Sequence, residues 1–301
     1  MNSMPIFSAT RDDSPFVGTL DTALELGAYE ELWTQPKASF KTLATKFFES
    51  DDAKPSDFVS EESARETGLR VIQKLHERLS SWFGLRLQGD LDYPEGLRDA
   101  THPVELLYFQ GYWDLLSAPS VSVVGTRKPS SDGRKRTRQL VKALVDDKFN
   151  IVSGLAEGID TEAHRAAIEN GGYTIAVIGT PLGNVYPKSN ETLQRIIAEH
   201  FLLISQVPVE RYDMQNPRSN RFFFPERNKT MSALTKATII VEAGETSGTL
   251  VQAREALRQN RKVFILNSCF ENPALTWPEK FAAKGAIRVR GYDDIRQELV
   301  D

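Results

Sequence analysis

The amino-acid sequence predicts an α/β fold: a parallel sheet with helices on both faces, plus a small helical module ahead of it. Three observations carry this. From about residue 120, short apolar runs alternate with helix-length amphipathic segments. The apolar runs lack the alternation of a half-exposed strand, as expected for strands buried on both faces. Before residue 80 the apolar spacing is helical instead. A length of 301 residues favours one large domain with a smaller companion.

In chain order, residues 19–26, 40–48 and 71–79 carry apolar residues at helix spacing, and 51–57 break the pattern with Asp, Lys, Pro and Ser. Residues 1–85 are therefore assigned to the helical module and 86–301 to the main domain. A connecting region runs from Gly89 to Ser120. Strands follow at 121–125, 150–153, 174–178, 202–205, 237–242 and 262–266. Helices are expected at about 132–148, 160–170, 191–200, 228–235 and 249–259, with a long loop before Asn228. Right-handed crossovers would gather the strand-to-helix loops at the carboxyl edge of the sheet.

Composition excludes several classes. Lys and Arg total 37 against 41 Asp and Glu, a net charge of −4, so no basic coat covers the whole chain. Cys269 is alone and excludes an internal disulfide. His76, His102, His164 and His200 are scattered without metal-ligand spacing, so no cofactor or metal is expected. Residues 1–13 are polar and acidic with no basic-then-apolar leader, and runs such as 201–204 are too short for a bilayer. The expectation is a cytoplasmic protein without a membrane partner.

The chemistry sits in the loops. Gly125-Thr126-Arg127-Lys128-Pro129 follows the first strand, Ser153-Gly154-Leu155-Ala156-Glu157-Gly158 the second, Gly179-Thr180 the third, and Gly244 to Thr249, with Ser247 and Gly248, a later one. Small residues admit a ligand to the backbone, and helix N-termini offer amides to anions. Four such loops on one edge describe a phosphate-binding rim. No G-x-G-x-x-G dinucleotide motif is present. Positive charge is concentrated beside the rim: residues 125–138 hold six basic residues against Asp132, and 211–236 hold six against Asp213 and Glu226. Phe222, Phe223 and Phe224 sit inside the second cluster. Cations interleaved with aromatics suit single-stranded nucleic acid, whose phosphates need charge and whose bases need stacking surfaces. The blander alternative makes Arg134 to Arg138 a solvated helix face and most of the phenylalanines core anchors. In an extended segment Phe222 and Phe224 would share one side, with Phe223 on the other.

At these residues the chain resembles the DNA-processing protein A family, DprA/Smf. The matching segments are Gly125-Thr-Arg-Lys-Pro129, Ser153 to Asp160 with Ala163-His-Arg165, Ile178-Gly-Thr180 with Tyr186-Pro-Lys-Ser-Asn190, Phe224-Pro-Glu-Arg-Asn228, and Val241-Glu-Ala243 with Ser247-Gly248. The resemblance implies an extended Rossmann-like fold that binds single-stranded DNA without base specificity and hands it to a RecA-type recombinase during DNA uptake. It also implies a homodimer. By the same resemblance Arg127 and Lys188 are phosphate contacts, Arg221 and Phe224 grip the strand, and Arg227 and Asn228 close the site. Gly154 and Gly248 would supply backbone amides, with Ser153 and Ser247 as further donors or helix caps. Asn267-Ser268 and Lys229-Thr-Met231 depart from the family pattern.

Two other readings remain. The related lysine-decarboxylase-like phosphoribohydrolases place a glutamate three residues after Gly-Thr. Here Gly248-Thr249 is followed by Leu250, Val251 and Gln252, and an amide is no general acid or base. A sensor of a nucleotide-derived ligand could use the same rim.

Overall fold

Asp21 opens the first helix by accepting the Leu24 N–H at 3.1 Å, which satisfies one of the amides that a helix start leaves without a partner. The computed structural model describes residues 21–50 and 53–299. The expected polar start at 1–13, residues 19 and 20 of the first helical run and residues 51 and 52 of the expected break lie outside them. Helices α1 (Thr22–Thr34), α2 (Phe40–Phe48) and α3 (Glu61–Arg78) build the N-terminal module, with Ser39 and Ser60 capping the second and third.

Next come β1 (Gly84–Leu87), the one-turn α4 (Glu95–Arg98) and β2 (Leu106–Gly111). The alternating part runs β3 (Ser120–Gly125), α5 (Ser131–Asp146), β4 (Asn150–Ser153), α6 (Ile159–Glu169), β5 (Thr174–Ile178), α7 (Glu191–His200) and β6 (Leu202–Ser205). Two short helices, α8 (Val209–Met214) and α9 (Pro217–Asn220), lead into α10 (Phe223–Ala233), β7 (Ala237–Glu242), α11 (Thr249–Arg258) and β8 (Lys262–Leu266). The described chain closes with α12 (Asn267–Phe270), α13 (Trp277–Ala282), β9 (Ile287–Val289) and α14 (Tyr292–Leu299).

The strands form one sheet in the order β1-β2-β6-β5-β4-β3-β7-β8-β9. From β3 to β9 every pairing is parallel, whereas β1 and β2 are antiparallel additions at one edge. The α/β class expected from the sequence is therefore present, with an antiparallel edge whose β2 falls inside the expected connecting region and whose β1 lies just ahead of it. Strand order reverses around β3, whose neighbours are β4 and β7. Loops leaving the carboxyl ends of such strands diverge and open a crevice.

Alternate residues of the central strands feed two cores, as the two-residue period requires. Val121 and Val123 of β3 and Ile239 and Val241 of β7 pack with Val141 of α5, Ala163 of α6 and Ile295 of α14. Val124 and Ile240 face the other way, into a core shared with Ala253 of α11, Phe223 of α10 and Leu26, Trp33 and Leu75 of the N-terminal helices. The module is also fastened by charge. The buried Glu30 carboxylate of α1 accepts the N–H groups of Val209 and Glu210 at 2.7 and 2.9 Å, together with the Tyr108 hydroxyl. Arg70 and Lys74 of α3 each lie 3.0 Å from Glu210, and Arg78 lies 2.7 Å from Asp213. Among the described residues no helix is long and apolar enough to cross a membrane, and no group of three or more His, Cys, Asp or Glu is placed to hold a metal.

Candidate nucleic-acid interface

Three of the predicted loops and the first turn of α10 enclose an open cleft. Its walls are Arg127 after β3, Gly154, Ala156 and Glu157 after β4, Gly179, Tyr186 and Pro187 after β5, and Phe224 and Arg227 of α10. The Phe224 ring lies 5.3 Å from that of the half-exposed Tyr186, at 48°. A side chain on Gly179 would come within 2.6 Å of the Phe224 ring, so glycine there lets the ring lie against the end of β5. One flank of Phe224 is thus packed on backbone while the cleft side stays open.

Arg227 lies beneath this floor and is 6% exposed. Its guanidinium donates to the carbonyls of Gly154 and, at 2.5 Å, Val177, and its Nε donates to Asn228 Oδ1 at 2.9 Å. Burial lowers its pKa to about 10, the Asp160 carboxylate offsets part of that loss, and Arg127 adds to it. It therefore keeps its charge at neutral pH. Asp160 is itself buried, which raises its pKa against the pull of Arg227. Burial, then the same arginine, holds His164 neutral, with a pKa lowered to about 3. Burial leaves the charge of Arg227 little screened by water, and exposed Arg127 and Glu157 line the same cleft.

The expected donors divide sharply. Ser153 is fully buried and its hydroxyl donates to the Val123 carbonyl at 2.7 Å, so it offers nothing to a ligand. The Gly154 N–H donates to Asp160 at 3.1 Å, and the space above Gly154 holds the Arg227 guanidinium. Glycine serves there to admit a protein side chain, a correction to the amide expected at that position. Arg227 is likewise a buried support that reaches the cleft from below, where the sequence reading had it closing the site. Ser247 is neither a free donor nor the cap of α11, whose N-cap is Gly248: it accepts the Thr249 N–H at 3.2 Å and donates to the Thr249 hydroxyl at 3.0 Å, closing a local turn ahead of the helix. Asn228 reaches the Gly248 carbonyl at 3.4 Å, while Gly248 itself is exposed outside the cleft walls.

The first loop is also largely satisfied from within. Glu242, at the end of β7, accepts the N–H of Ser130 at 3.0 Å and its hydroxyl at 2.7 Å, filling the anion position at the start of α5 with a protein carboxylate. The Gly125 carbonyl accepts the Thr249 hydroxyl at 3.2 Å, and Thr126 Oγ1 accepts the Lys128 N–H at 3.2 Å. Arg127 and Lys128 remain exposed. The basic run along α5 takes the bland reading: Arg134 and Arg138 reach Glu162, and Arg136 lies 3.5 Å from Glu242.

Phe222 and Phe223 overturn the extended-segment expectation. Phe222 has helical dihedrals and α10 starts at Phe223, so the three rings fan out at helical angles. Phe223 is buried, 6.1 Å from Trp33, 6.3 Å from Phe40 and 6.0 Å from Tyr212. Phe222 is 45% exposed and stands apart from Phe224. Outside the cleft the exposed cations Lys188, Arg218 and Arg221 continue the positive surface. The sequence places Glu157 and Gly179 in the rim loops and Tyr186 in a family-matching segment without giving any of the three a role of its own, and the structure puts all three on the cleft walls. The signal for Tyr186 was an aromatic beside proline in a loop leaving a strand. The position weighed for an enzyme lies elsewhere: Gln252 is buried with its Nε2 3.5 Å from Thr238 Oγ1.

The mostly parallel α/β sheet carries, at its carboxyl edge, a cleft walled by aromatic and basic side chains. Residues 85–300 match the family model described as DNA recombination-mediator protein A, and the chain belongs to that family. It is 40% identical over 207 residues to the DNA processing protein DprA of Streptococcus pneumoniae, covering 69% of this chain and 71% of that one. A Smf protein of Synechocystis is 40% identical over 181 residues, which span 59% of this chain and 44% of its own length. The X-ray structure of the S. pneumoniae DprA superposes with a TM-score of 0.67 at 30% identity, over 92% of both chains. The Helicobacter pylori DprA, whose structure is described as giving insight into a unique single-stranded DNA binding mode, superposes with a TM-score of 0.62 at 25% identity, over 73% of this chain and 97% of that one.

Proposed function

We propose that this chain binds single-stranded DNA along the carboxyl edge of its sheet and passes it to a RecA-type recombinase. One observation carries the binding: the cleft sets exposed Arg127 beside the Tyr186–Phe224 aromatic wall, over the buried charge of Arg227. Phosphates need the cations and bases need the rings. Lys128, Lys188, Arg218 and Arg221 lie outside the cleft walls, where a polymer reaches and a mononucleotide does not. Family membership and the single-stranded DNA mode of the H. pylori protein support the same reading. The recombinase partner, a homodimer and a cytoplasmic setting without a membrane partner are part of the same proposal, suggested by the family resemblance.

The test is a competition titration. A labelled oligonucleotide is displaced by unlabelled single strand, duplex or nucleoside monophosphate at two salt concentrations. Single strand should compete well and duplex or mononucleotide poorly. Efficient displacement by mononucleotide would favour the small-ligand sensor, and release of free base would favour the phosphoribohydrolase.

A further inference from the structure

We propose that Glu157 gives the cleft a preference for guanine among the bases of a bound strand. The inference rests on the strand-binding reading and adds a specificity to it. Glu157 lines the cleft with Arg127, Tyr186 and Phe224. Its Oε1 accepts from Ser189 Oγ at 2.9 Å, which fixes the carboxylate beside the aromatic wall. The neighbouring Lys188 lies near Glu191, at 3.9 Å, and among the described residues no ion pair neutralises Glu157.

A free carboxylate in a cleft that collects phosphates costs affinity unless the strand gives something back. Carboxylate oxygens only accept hydrogen bonds, and the bond from Ser189 leaves further lone pairs available. We place a base stacked on Phe224 and Tyr186 with its Watson–Crick edge toward Glu157, as edge-read single strands are recognised. Guanine alone presents two adjacent donors there, N1–H and N2–H, which match the two carboxylate oxygens side by side. Thymine offers a single N–H between two carbonyls that the carboxylate repels. Adenine and cytosine each offer one amino donor beside an acceptor. Bidentate, charge-assisted pairing is the strong geometry for a carboxylate. The preference adds to an affinity from phosphate contacts that carries no base information.

The experiment compares fluorescently labelled dT strands, plain or carrying isolated guanines or inosines, with the wild-type protein, Glu157→Gln and Glu157→Ala. Guanine-bearing strands should bind roughly five- to tenfold more tightly than plain dT, near the lower end of bidentate discrimination. Inosine, which lacks the N2 amino group, should lose most of that gain. Both variants should lose the guanine advantage, read as the ratio of guanine-bearing to plain dT affinity within each variant. Glu157 is exposed, so neither substitution should disturb the fold. Equal binding of dT and guanine-bearing strands by the wild type overturns the preference and leaves strand binding intact. An advantage that survives in Glu157→Gln also overturns it. If no strand binds at all, the strand-binding reading fails and the preference fails with it.

Discussion

Arg127 and Arg227 approach the cleft from opposite sides, one from solvent and one from the core. Replacing exposed Arg127 by alanine should weaken every single strand similarly and leave the melting temperature unchanged, because a phosphate contact carries no base information. Arg227→Met should behave differently. It leaves the Gly154 and Val177 carbonyls without their donor and Asp160 without its counter-charge. A buried acceptor left without its donor costs about 1–3 kcal/mol, so with two such carbonyls this variant should melt early as well as bind weakly. Thermal melts beside anisotropy titrations separate the two; a stable Arg227→Met would deny its role as the floor. Phe224 lies between these cases. Leucine keeps an apolar contact over Gly179 but removes the face that a base stacks on. Phe224→Leu should lose about 1–3 kcal/mol of strand affinity at a nearly unchanged melting temperature. A variant with full affinity would move Phe224 from the site to the core.

At the scale of elements, the N-terminal helices hold the gripping segment in place. Phe223 sits among Trp33, Phe40 and Tyr212, while its neighbour Phe224 faces the cleft, so the pose of α10 depends on a core contact outside the site. Phe223→Ala should cost about 3–5 kcal/mol of stability and lower strand affinity as well. Phe222→Ala, at a half-exposed ring, should cost far less stability. Urea unfolding and titration well below the melting temperature check both, and wild-type affinity in a folded Phe223→Ala would make the module a mere support. This coupling was not legible in the sequence, because three consecutive phenylalanines look alike until a helix separates them. Pro225 hid that helix. It suggests a break before Asn228, yet at the third position of α10 its missing N–H costs nothing, since first-turn amides have no partner within the helix. The parallel strands β3 to β8 were legible because each is an apolar, mostly buried run between helix-length segments, whereas β9, three residues long and only partly buried, was not. β2 is buried throughout but has no crossover helix beside it, so it read as a connection. The basic and aromatic clusters are legible in the composition of the loops, and the family resemblance is what singles out Arg127 and Phe224 within them. The roles of Ser153, Gly154 and Arg227 are not legible there, because hydrogen bonds between distant segments decide them.

At the scale of the whole molecule, the interface between module and sheet stores buried carboxylates. Burial raises Glu30 to about 7 and Glu105, helped by nearby Glu25, to about 8. The folded state therefore keeps protons that the unfolded chain releases near its ordinary glutamate value, and stability falls as pH rises through this window. His164 works in the opposite sense, because its folded pKa is lowered to about 3 and its stabilising effect fades below the ordinary histidine value of 6.5. Between about pH 6.5 and pH 8 the carboxylates act alone. Urea midpoints should fall across that range, with Glu105 contributing at most about 1.4 kcal/mol per pH unit. Glu105→Gln should flatten the decline; an unchanged slope would assign it to other groups.

The most direct test of a phosphate-gripping cleft is the salt dependence of binding to an unstructured dT strand, measured for the wild type and Arg127→Ala. Counterion release gives single strands a slope of roughly −0.7 per phosphate contact in log affinity against log salt. The wild type should weaken steeply as salt rises, and the variant's line should be shallower by about one contact. An affinity indifferent to salt, or a variant line parallel to and level with that of the wild type, would contradict strand binding through this edge of the sheet.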